Sequence, residues 1–200
     1  MKRLVLVRHG ETEWSAAGRH TGRTDVALTP AGEAAARSLG LALGELGLRP
    51  AVCLCSPRRR AVETAVLAGM GDRLVVDDRL AELDYGDYEG LTTAEIRVGR
   101  PGWNLFDDGC PGGETLEAAG QRADAVLADL SPDDGEGESD VALVGHGHFS
   151  RILAARYIGM APAQARHLAL GTASLSVLGH EHDWRAITAW NLRPSSSEPA

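Results

Sequence analysis

The first strand of the chain ends in a cation and an imidazole. The apolar run at residues 4–7 is followed at once by Arg8, His9 and Gly10, and "VALVGHGH" repeats this pattern at residues 141–148. Runs that are apolar throughout are typical of strands buried on both faces of a sheet. In open α/β sheets, ligands bind beyond the carboxyl ends of such strands. The two segments therefore predict a polar site where the two strand ends meet.

Strands and helices alternate along most of the chain. The strands of this alternating part are expected in "RLVLVR", "AVCLCS", "RLVVDD" and "DVALVGHG". The alternation predicts an α/β fold, a three-layer and mainly parallel sheet with helices on both faces. Two further strands, "ASLSVLG" and "WRAITAW", flank the short segment "HEHD". They predict an antiparallel edge hairpin at the C-terminus.

Two helices are expected to begin with a capping residue followed by proline. Thr29 and Ser56 are the predicted caps, and Pro30 and Pro57 take the first helical position, where proline is well tolerated. The later segment "RPGWNLFDDGCPGGET" is dense in Gly and Pro and is expected to be loop. The predicted cap at Ser56 places a helix directly beyond the end of a strand.

The chain is expected to form a single domain over residues 1–193. Its length suits one domain, with residues 84–113 as a short cap insertion. The acidic segment "SPDDGEGESD" is predicted to be an exposed link, and residues 194–200 a disordered tail.

Charge and composition exclude several kinds of partner. The formal net charge is −8, which argues against binding to a nucleic-acid backbone. No apolar run is long enough for a membrane helix, and the N-terminus lacks a signal peptide, so a cytoplasmic protein without a membrane partner is expected. The three cysteines are expected to be free thiols, with Cys53 and Cys55 as small buried hydrophobes.

Three consecutive arginines stand at the predicted start of the helix that follows Ser56. Arg58, Arg59 and Arg60 place positive charge against the positive end of the helix dipole. An anion bound at this position would relieve that conflict, because free backbone N–H groups and guanidinium groups would both donate to it. Arg60 is predicted to point inward, although projection of the arginines into water stays an alternative.

The two histidine motifs suggest phosphoryl chemistry. An imidazole such as His9 can attack phosphorus directly, and arginines can neutralise the charge on the equatorial oxygens. Nothing in the sequence resembles a Walker loop, and no convincing carboxylate set for Mg²⁺ is found, so neither a metal nor another cofactor is expected. Glu82 follows the third strand and is a candidate general acid, with a surface glutamate as the alternative.

In combination, these motifs resemble those of a known family. "RHGET", "SPRRRAVETA", a Glu shortly before "YGDYEG", and "VGHGHFSR" occur in the order and spacing of the histidine phosphatase superfamily. The resemblance implies a phosphoglycerate mutase-like fold. "RHTGRTD", "DYGDYEGLTT" and "DGCPGGET" are more similar to the branch of acid phosphatases and sedoheptulose-bisphosphatase-like enzymes than to the mutases, which have a longer segment after the acid.

The resemblance also implies a role for each matching residue. His9 would become phosphorylated, Arg8, Arg60 and His146 would hold the phosphoryl oxygens, and Glu82 would protonate the leaving group. The substrate-binding positions would be Ser15, Thr21, Gly22, Tyr85, Gly147 and His148. Ser15 stands where the family more often has Asn, and His148 where many members have a small residue or Asn. Glu114 and Thr115 are further candidates for substrate contact.

The resulting expectation is a metal-independent phosphatase that hydrolyses small phosphomonoesters, such as sugar phosphates, through a phosphohistidine. A 2,3-bisphosphoglycerate-dependent phosphoglycerate mutase and a non-catalytic phosphate-binding module are the alternatives. The expected partner is a small phosphorylated metabolite, and the protein is expected to be a monomer or a homodimer.

Overall fold

A six-stranded sheet forms the centre of the molecule in a computed structural model, which describes residues 3–130 and 139–194. The strands are β1 Leu4–Arg8, β2 Val52–Cys55, β3 Leu74–Val76, β4 Val141–Gly145, β5 Ser174–Glu181 and β6 Trp184–Leu192. Their order is β3-β2-β4-β1-β5-β6. The pairs among β1 to β4 are parallel, whereas β5 pairs antiparallel with both β1 and β6. The predicted mixed sheet with a C-terminal hairpin is therefore confirmed.

Helices cover both faces of this sheet. They are α1 Glu13–Ala16, α2 Pro30–Glu45, α3 Arg59–Leu67, α4 Thr93–Gly99, α5 Leu105–Asp108, α6 Leu116–Asp129 and α7 Gly147–Tyr157. Alternation along β1 sends Leu4 and Leu6 into the core shared with α6 and α7, and Val5 and Val7 into the core shared with α2 and α3. No helix in residues 3–130 or 139–194 is long and apolar enough to cross a bilayer.

The pairing of β1 with β4 brings the two histidine motifs together. Arg8 lies opposite Gly145 in the parallel register, and the His9 N–H continues the ladder by donating to the Gly145 carbonyl at 3.0 Å. His9 and His146 therefore leave adjacent strands at the same edge of the sheet.

The start of α3 differs from the prediction. The helix begins at Arg59 with Arg58 as its cap residue, two residues later than the Ser56 cap implied. The Ser56 hydroxyl lies 2.7 Å from Nε2 of His146 and also accepts the Arg58 N–H at 3.3 Å. Ser56 therefore joins the strand end to His146 instead of capping α3. The cap of α2 by Thr29 with Pro30 is confirmed.

Two other segments also depart from the sequence prediction. The supposed loop of residues 100–115 contains α5, because the Asn104 side chain caps it by accepting the Phe106 N–H. Asp140, the last residue of the supposedly exposed acidic link, is buried and accepts two hydrogen bonds from Arg3. Residues 131–138 of that link, and residues 195–200 of the predicted tail, lie outside the described residues.

The cysteines of β2 and the aromatic residues of the cap are part of the packed interior. Cys53 and Cys55 are both fully buried in the core shared with α2 and α3, as their alternation predicted. Trp103 and Phe106, which belong to the predicted cap region, are buried in the core on the opposite face of the sheet.

A close backbone contact supports the loop that carries His9. A Cβ atom on Gly32, in the first turn of α2, would lie 2.2 Å from the Glu11 carbonyl oxygen, and one on Gly10 would lie 2.5 Å from the Gly32 carbonyl oxygen. Glycine at both positions lets α2 approach the residues that directly follow His9.

We expect Gly32→Ala to lower the free energy of unfolding by about 1–3 kcal/mol, because the added methyl group has to displace backbone. A methyl group on Gly44, in the same helix, would meet no described atom of another segment within 4 Å. Gly44→Ala is therefore the matched control and should raise the free energy of unfolding by about 0.4–1 kcal/mol. Urea unfolding measures both, and equal effects of the two substitutions would contradict the contact.

Candidate active site

Two buried imidazoles form the centre of the site. The rings of His9 and His146 lie with their centroids 5.2 Å apart and their planes at 62°, and their exposed fractions are 5% and 0%. The predicted convergence of the two strand ends is therefore found in the structure.

The hydrogen bond of His9 fixes which nitrogen is available for reaction. Nδ1 lies 2.6 Å from the Gly10 carbonyl oxygen, which can only accept, so Nδ1 carries the proton. Burial, together with the nearby Arg8 and Arg60 guanidinium groups, holds the pKa of His9 well below its usual range. The ring is therefore neutral near pH 7, with a lone pair on Nε2.

The second histidine is held in the same tautomer, with its proton on Nδ1. The Ser56 hydroxyl oxygen accepts the Arg58 N–H, so its own proton is free to be donated to Nε2 of His146. Burial, then the neighbouring Arg60, also keep the pKa of His146 well below its usual range. Nδ1 of His146 then bears a proton, and this buried atom has no hydrogen-bond partner among the described residues.

Three arginines also have an unsatisfied nitrogen near the two rings. The buried Nε atoms that lack a partner within the described part of the chain belong to Arg8, Arg58 and Arg60. Buried donors normally find an acceptor, and an unpaired donor costs about 1–3 kcal/mol. A cluster of such donors on cationic groups indicates an anion-binding site, and a tetrahedral oxyanion offers several acceptors at once.

Arg60 also organises the loop in front of α3. It is fully buried, as predicted, and donates to the carbonyl oxygens of Thr21 and Thr24 at 2.9 Å each and of Gly22 at 3.3 Å. Arg59, in contrast, is exposed and pairs with Glu63 one helical turn later. Of these consecutive arginines, Arg59 therefore faces solvent and Arg60 faces the interior of the site.

Glu82 lies at the N-terminus of α7. Its Oε1 accepts the N–H groups of Leu83 at 3.0 Å and Phe149 at 2.8 Å, and its Oε2 accepts the His148 N–H at 3.0 Å. The positive end of the helix dipole favours a carboxylate in this position. The side chain is therefore held facing the site and is not the free surface glutamate of the alternative interpretation.

A cavity of about 260 Å³ opens in front of His9. All the predicted site residues line it except Gly22, Arg60 and His146. Gly147 lies close to Arg8, because a Cβ atom there would be 3.1 Å from Cζ of Arg8 and would require that guanidinium group to shift. Glu114 and Thr115 do not line this cavity, since Glu114 pairs with Arg122 and Thr115 caps α6.

Several residues of the cavity wall were not anticipated from the sequence. The polar ones are Arg19, His20, Thr93 and Arg151. A sequence signal existed for Arg151, which follows Gly147 by four residues and so shares its face of α7. The sequence also did not decide whether Arg58 faces solvent or the site. The burial of its Nε atom shows that part of the side chain faces inward.

Two of the predicted substrate-binding hydroxyls already have partners. The Ser15 hydroxyl donates to the Thr12 carbonyl oxygen at 3.0 Å and accepts the Thr12 N–H at 2.9 Å, closing a capping box on α1. The Thr21 hydroxyl donates to the Arg19 carbonyl oxygen at 3.0 Å. To contact a ligand, each hydroxyl group has to rotate away from its carbonyl partner or accept a hydrogen bond from the ligand.

Tyr85, His148 and His20 form a further polar part of the cavity wall. The Tyr85 hydroxyl is 2.6 Å from Nδ1 of His148, and the ring of His20 lies 4.9 Å from that of Tyr85. Burial raises the pKa of Tyr85, while burial and then Arg151 lower that of His148. The tyrosine therefore donates to a neutral His148, and Nε2 of His148 retains an N–H.

This arrangement, an α/β sheet whose strand ends hold an imidazole beside an oxyanion site, defines a protein that acts on phosphate groups. Residues 4–193 match the family model described as "Histidine phosphatase superfamily (branch 1)". The chain belongs to this superfamily, and it is a phosphoric monoester hydrolase.

Two curated relatives illustrate the similarity. The chain is 45% identical to an acid phosphatase of Mycobacterium tuberculosis, over 95% of this chain and 92% of that protein. It is 38% identical to sedoheptulose 1,7-bisphosphatase of Saccharomyces cerevisiae, over 79% of this chain and 68% of that protein.

Solved structures show the same fold. The structure of an open reading frame product from Mycobacterium tuberculosis superposes with a TM-score of 0.91 at 44% identity, covering 96% of this chain and 98% of that one. A mycobacterial glucosyl-3-phosphoglycerate phosphatase in complex with VO3 gives a TM-score of 0.82 at 31% identity, covering 96% and 99%. The expected phosphoglycerate mutase-like fold is thereby confirmed.

We expect the protein to lose stability as the pH falls below about 6.5, because the unfolded chain then binds protons that buried His9 does not. Each such imidazole makes the free energy of unfolding fall by up to about 1.4 kcal/mol per pH unit. Urea unfolding between pH 7.5 and 5.5 should show a shallower decline for His9→Gln than for the wild type. His182→Gln, which removes an exposed imidazole, is the matched control. Identical pH dependence of His9→Gln and the wild type would contradict a neutral His9.

Proposed function

We propose that the protein hydrolyses small phosphomonoesters through a phosphohistidine formed on His9. The observation that carries this proposal is the hydrogen bond from Nδ1 of His9 to the Gly10 carbonyl, which leaves Nε2 as the free lone pair. That lone pair belongs to a buried neutral ring near Arg8 and Arg60, so a nucleophile and charge-neutralising groups occur together.

The first step would transfer the phosphoryl group to the protein. Nε2 of His9 attacks phosphorus, an N–P bond forms, and the P–O bond to the leaving group breaks. Nε of Arg8 and Nδ1 of His146 would donate to the equatorial oxygens, where charge is spread in the transition state. Glu82 would take up a proton when the anionic phosphate group binds beside it, and would give that proton to the leaving oxygen.

The second step would release inorganic phosphate. Water attacks the phosphohistidine, Glu82 accepts a proton from that water, and the N–P bond breaks. The carboxyl group is thereby returned to its protonated form, and His9 to its neutral form. All charge neutralisation in this scheme comes from side chains of the chain itself, so no metal ion is assigned a role.

The cavity wall supports a small, hydroxyl-bearing leaving group. His148 presents an N–H from Nε2, and Thr93 and Arg151 add further polar atoms to the same cavity. A volume of about 260 Å³ suits a small metabolite such as a sugar phosphate. The relative named sedoheptulose 1,7-bisphosphatase acts on a sugar phosphate, which agrees with this proposal.

We expect His9→Ala to reduce kcat/KM for a sugar phosphate by about 10³-fold or more, because the reaction loses its nucleophile. The wild type should retain full turnover in EDTA and should become labelled by [³²P]substrate in an acid-labile form, as a phosphoramidate requires. Activity of His9→Ala near that of the wild type would contradict the proposal.

A phosphoglycerate mutase would give a different result from a phosphatase when the same purified protein is assayed. The chain shares 30% identity with a protein named probable phosphoglycerate mutase of Enterobacter sp.. Conversion of 3-phosphoglycerate to 2-phosphoglycerate that is stimulated by 2,3-bisphosphoglycerate, with little phosphate release, would favour the mutase over hydrolysis.

We expect His148→Ala to raise KM for a sugar phosphate by about 5- to 10-fold, the worth of one hydrogen bond to the leaving group. p-Nitrophenyl phosphate offers no hydroxyl in its leaving group and should show a smaller change. Steady-state kinetics on both substrates measure the difference. An equal change for the two would show that His148 does not contact the leaving group.

A further inference from the structure

Arg122 of α6 binds the chain immediately before Glu82. Its Nη1 donates to the carbonyl oxygens of Arg79 and Ala81, at 2.7 Å in both cases. These carbonyls belong to the residues three and one positions before Glu82. The guanidinium group therefore fixes the backbone from which the Glu82 side chain extends.

The same guanidinium group also reaches the chain that follows Glu82. Its Nε and Nη2 donate to the two carboxylate oxygens of Glu114, at 3.0 and 2.7 Å. The Glu114 N–H in turn donates to the Asp84 carbonyl oxygen at 2.9 Å. The backbone on both sides of Glu82 is therefore joined to Arg122, directly on one side and through Glu114 on the other.

A third contact links Arg122 to the helix that holds the Glu82 carboxylate. Cζ of Arg122 lies 3.9 Å from the centre of the Phe149 ring, a distance typical of a cation–π contact. The N–H of Phe149 is one of the three donors to Glu82, at 2.8 Å. Arg122 thus contacts both the backbone that carries Glu82 and the turn of α7 to which its carboxylate is hydrogen-bonded.

We infer that Arg122 is a positioning residue that sets where the Glu82 carboxyl group can deliver its proton. The inference rests on the proposed function, in which Glu82 protonates the leaving group. Arg122 does not line the cavity, and its side chain is only 19% exposed. Proton transfer depends on geometry within about 0.5 Å, so a displaced carboxyl group would lose efficiency without any change in His9 or the arginines around it.

The dependence of kcat/KM on the leaving group distinguishes this role from a purely structural one. An alkyl phosphate such as glycerol 1-phosphate needs a proton on its leaving oxygen, whereas p-nitrophenolate leaves readily without one. The kinetic constant kcat/KM reports the steps up to phosphoryl transfer to His9. It does not include hydrolysis of the phosphohistidine, which is the same for both substrates. Loss of proton delivery should therefore affect the alkyl phosphate selectively.

The experiment compares Arg122→Met and Arg122→Lys with Glu82→Gln on both substrates. Glu82→Gln removes the acid and should lower kcat/KM for the alkyl phosphate about 100-fold or more beyond its effect on p-nitrophenyl phosphate. Both Arg122 variants should also lose more kcat/KM on the alkyl phosphate than on p-nitrophenyl phosphate. The difference should be about 10- to 100-fold, because the acid is retained but misplaced. Lysine preserves the charge but cannot serve two carbonyls and a carboxylate together.

A matched control separates this effect from general loss of packing. Arg156 of α7 pairs with Asp124 of α6 and donates to the Met160 carbonyl oxygen, so it also joins these helices. Arg156→Met should lower the melting temperature without selectivity between the substrates. If Arg122→Met does not fold, Glu114→Gln, which weakens the same ion pair, should show the same leaving-group selectivity.

The outcomes are distinguishable. Equal losses on both substrates in the Arg122 variants, with selective loss in Glu82→Gln, would overturn the role of Arg122 and leave the proposed function intact. Equal losses in Glu82→Gln itself would instead show that Glu82 is not the general acid, and the proposed function would fail at that point. Selective loss in all three variants would support both.

Discussion

The parallel pairing of β1 with β4 is the interaction on which the site depends. It places Arg8 opposite Gly145 and lets the His9 N–H continue the ladder, so the two imidazoles emerge side by side. A shift of this register by one residue would turn the side chains to the opposite face of the sheet. Neither imidazole could then face the arginines, and the cavity would lose the His9 ring from its wall.

Burial gives this edge of the sheet its chemistry. The chain has a formal net charge of −8, yet the buried donors at this edge that have no partner in the described part of the chain belong to arginines and to a histidine. Their field and the loss of water keep both imidazoles neutral, which is the form that can attack or donate. These donors have no acceptor among residues 3–130 and 139–194, and in the proposed function the phosphoryl oxygens would accept from them.

Much of this site could be predicted from strand ends and motifs. Arg8, His9 and His146 follow apolar runs directly, and the buried Arg60 was distinguishable from its neighbours by the small residues after it. Arg58 and Arg151 were not assigned, because whether a side chain on a helix or its cap faces a cavity depends on what packs against it. The start of α3 was misplaced for a similar reason, since the Ser56 hydroxyl is taken by a histidine 90 residues away.

Sequence by itself determined the residue types at each strand end, the alternation that builds a mainly parallel sheet, and the family to which the chain belongs. These properties are local, because periodicity and turn chemistry act over a few residues. Only the tertiary structure decided that Glu82 lies at the start of α7 and that Arg122 supports the backbone on both sides of it. Those contacts join segments distant in the chain, and their geometry follows from sheet order and helix packing, which no local pattern encodes.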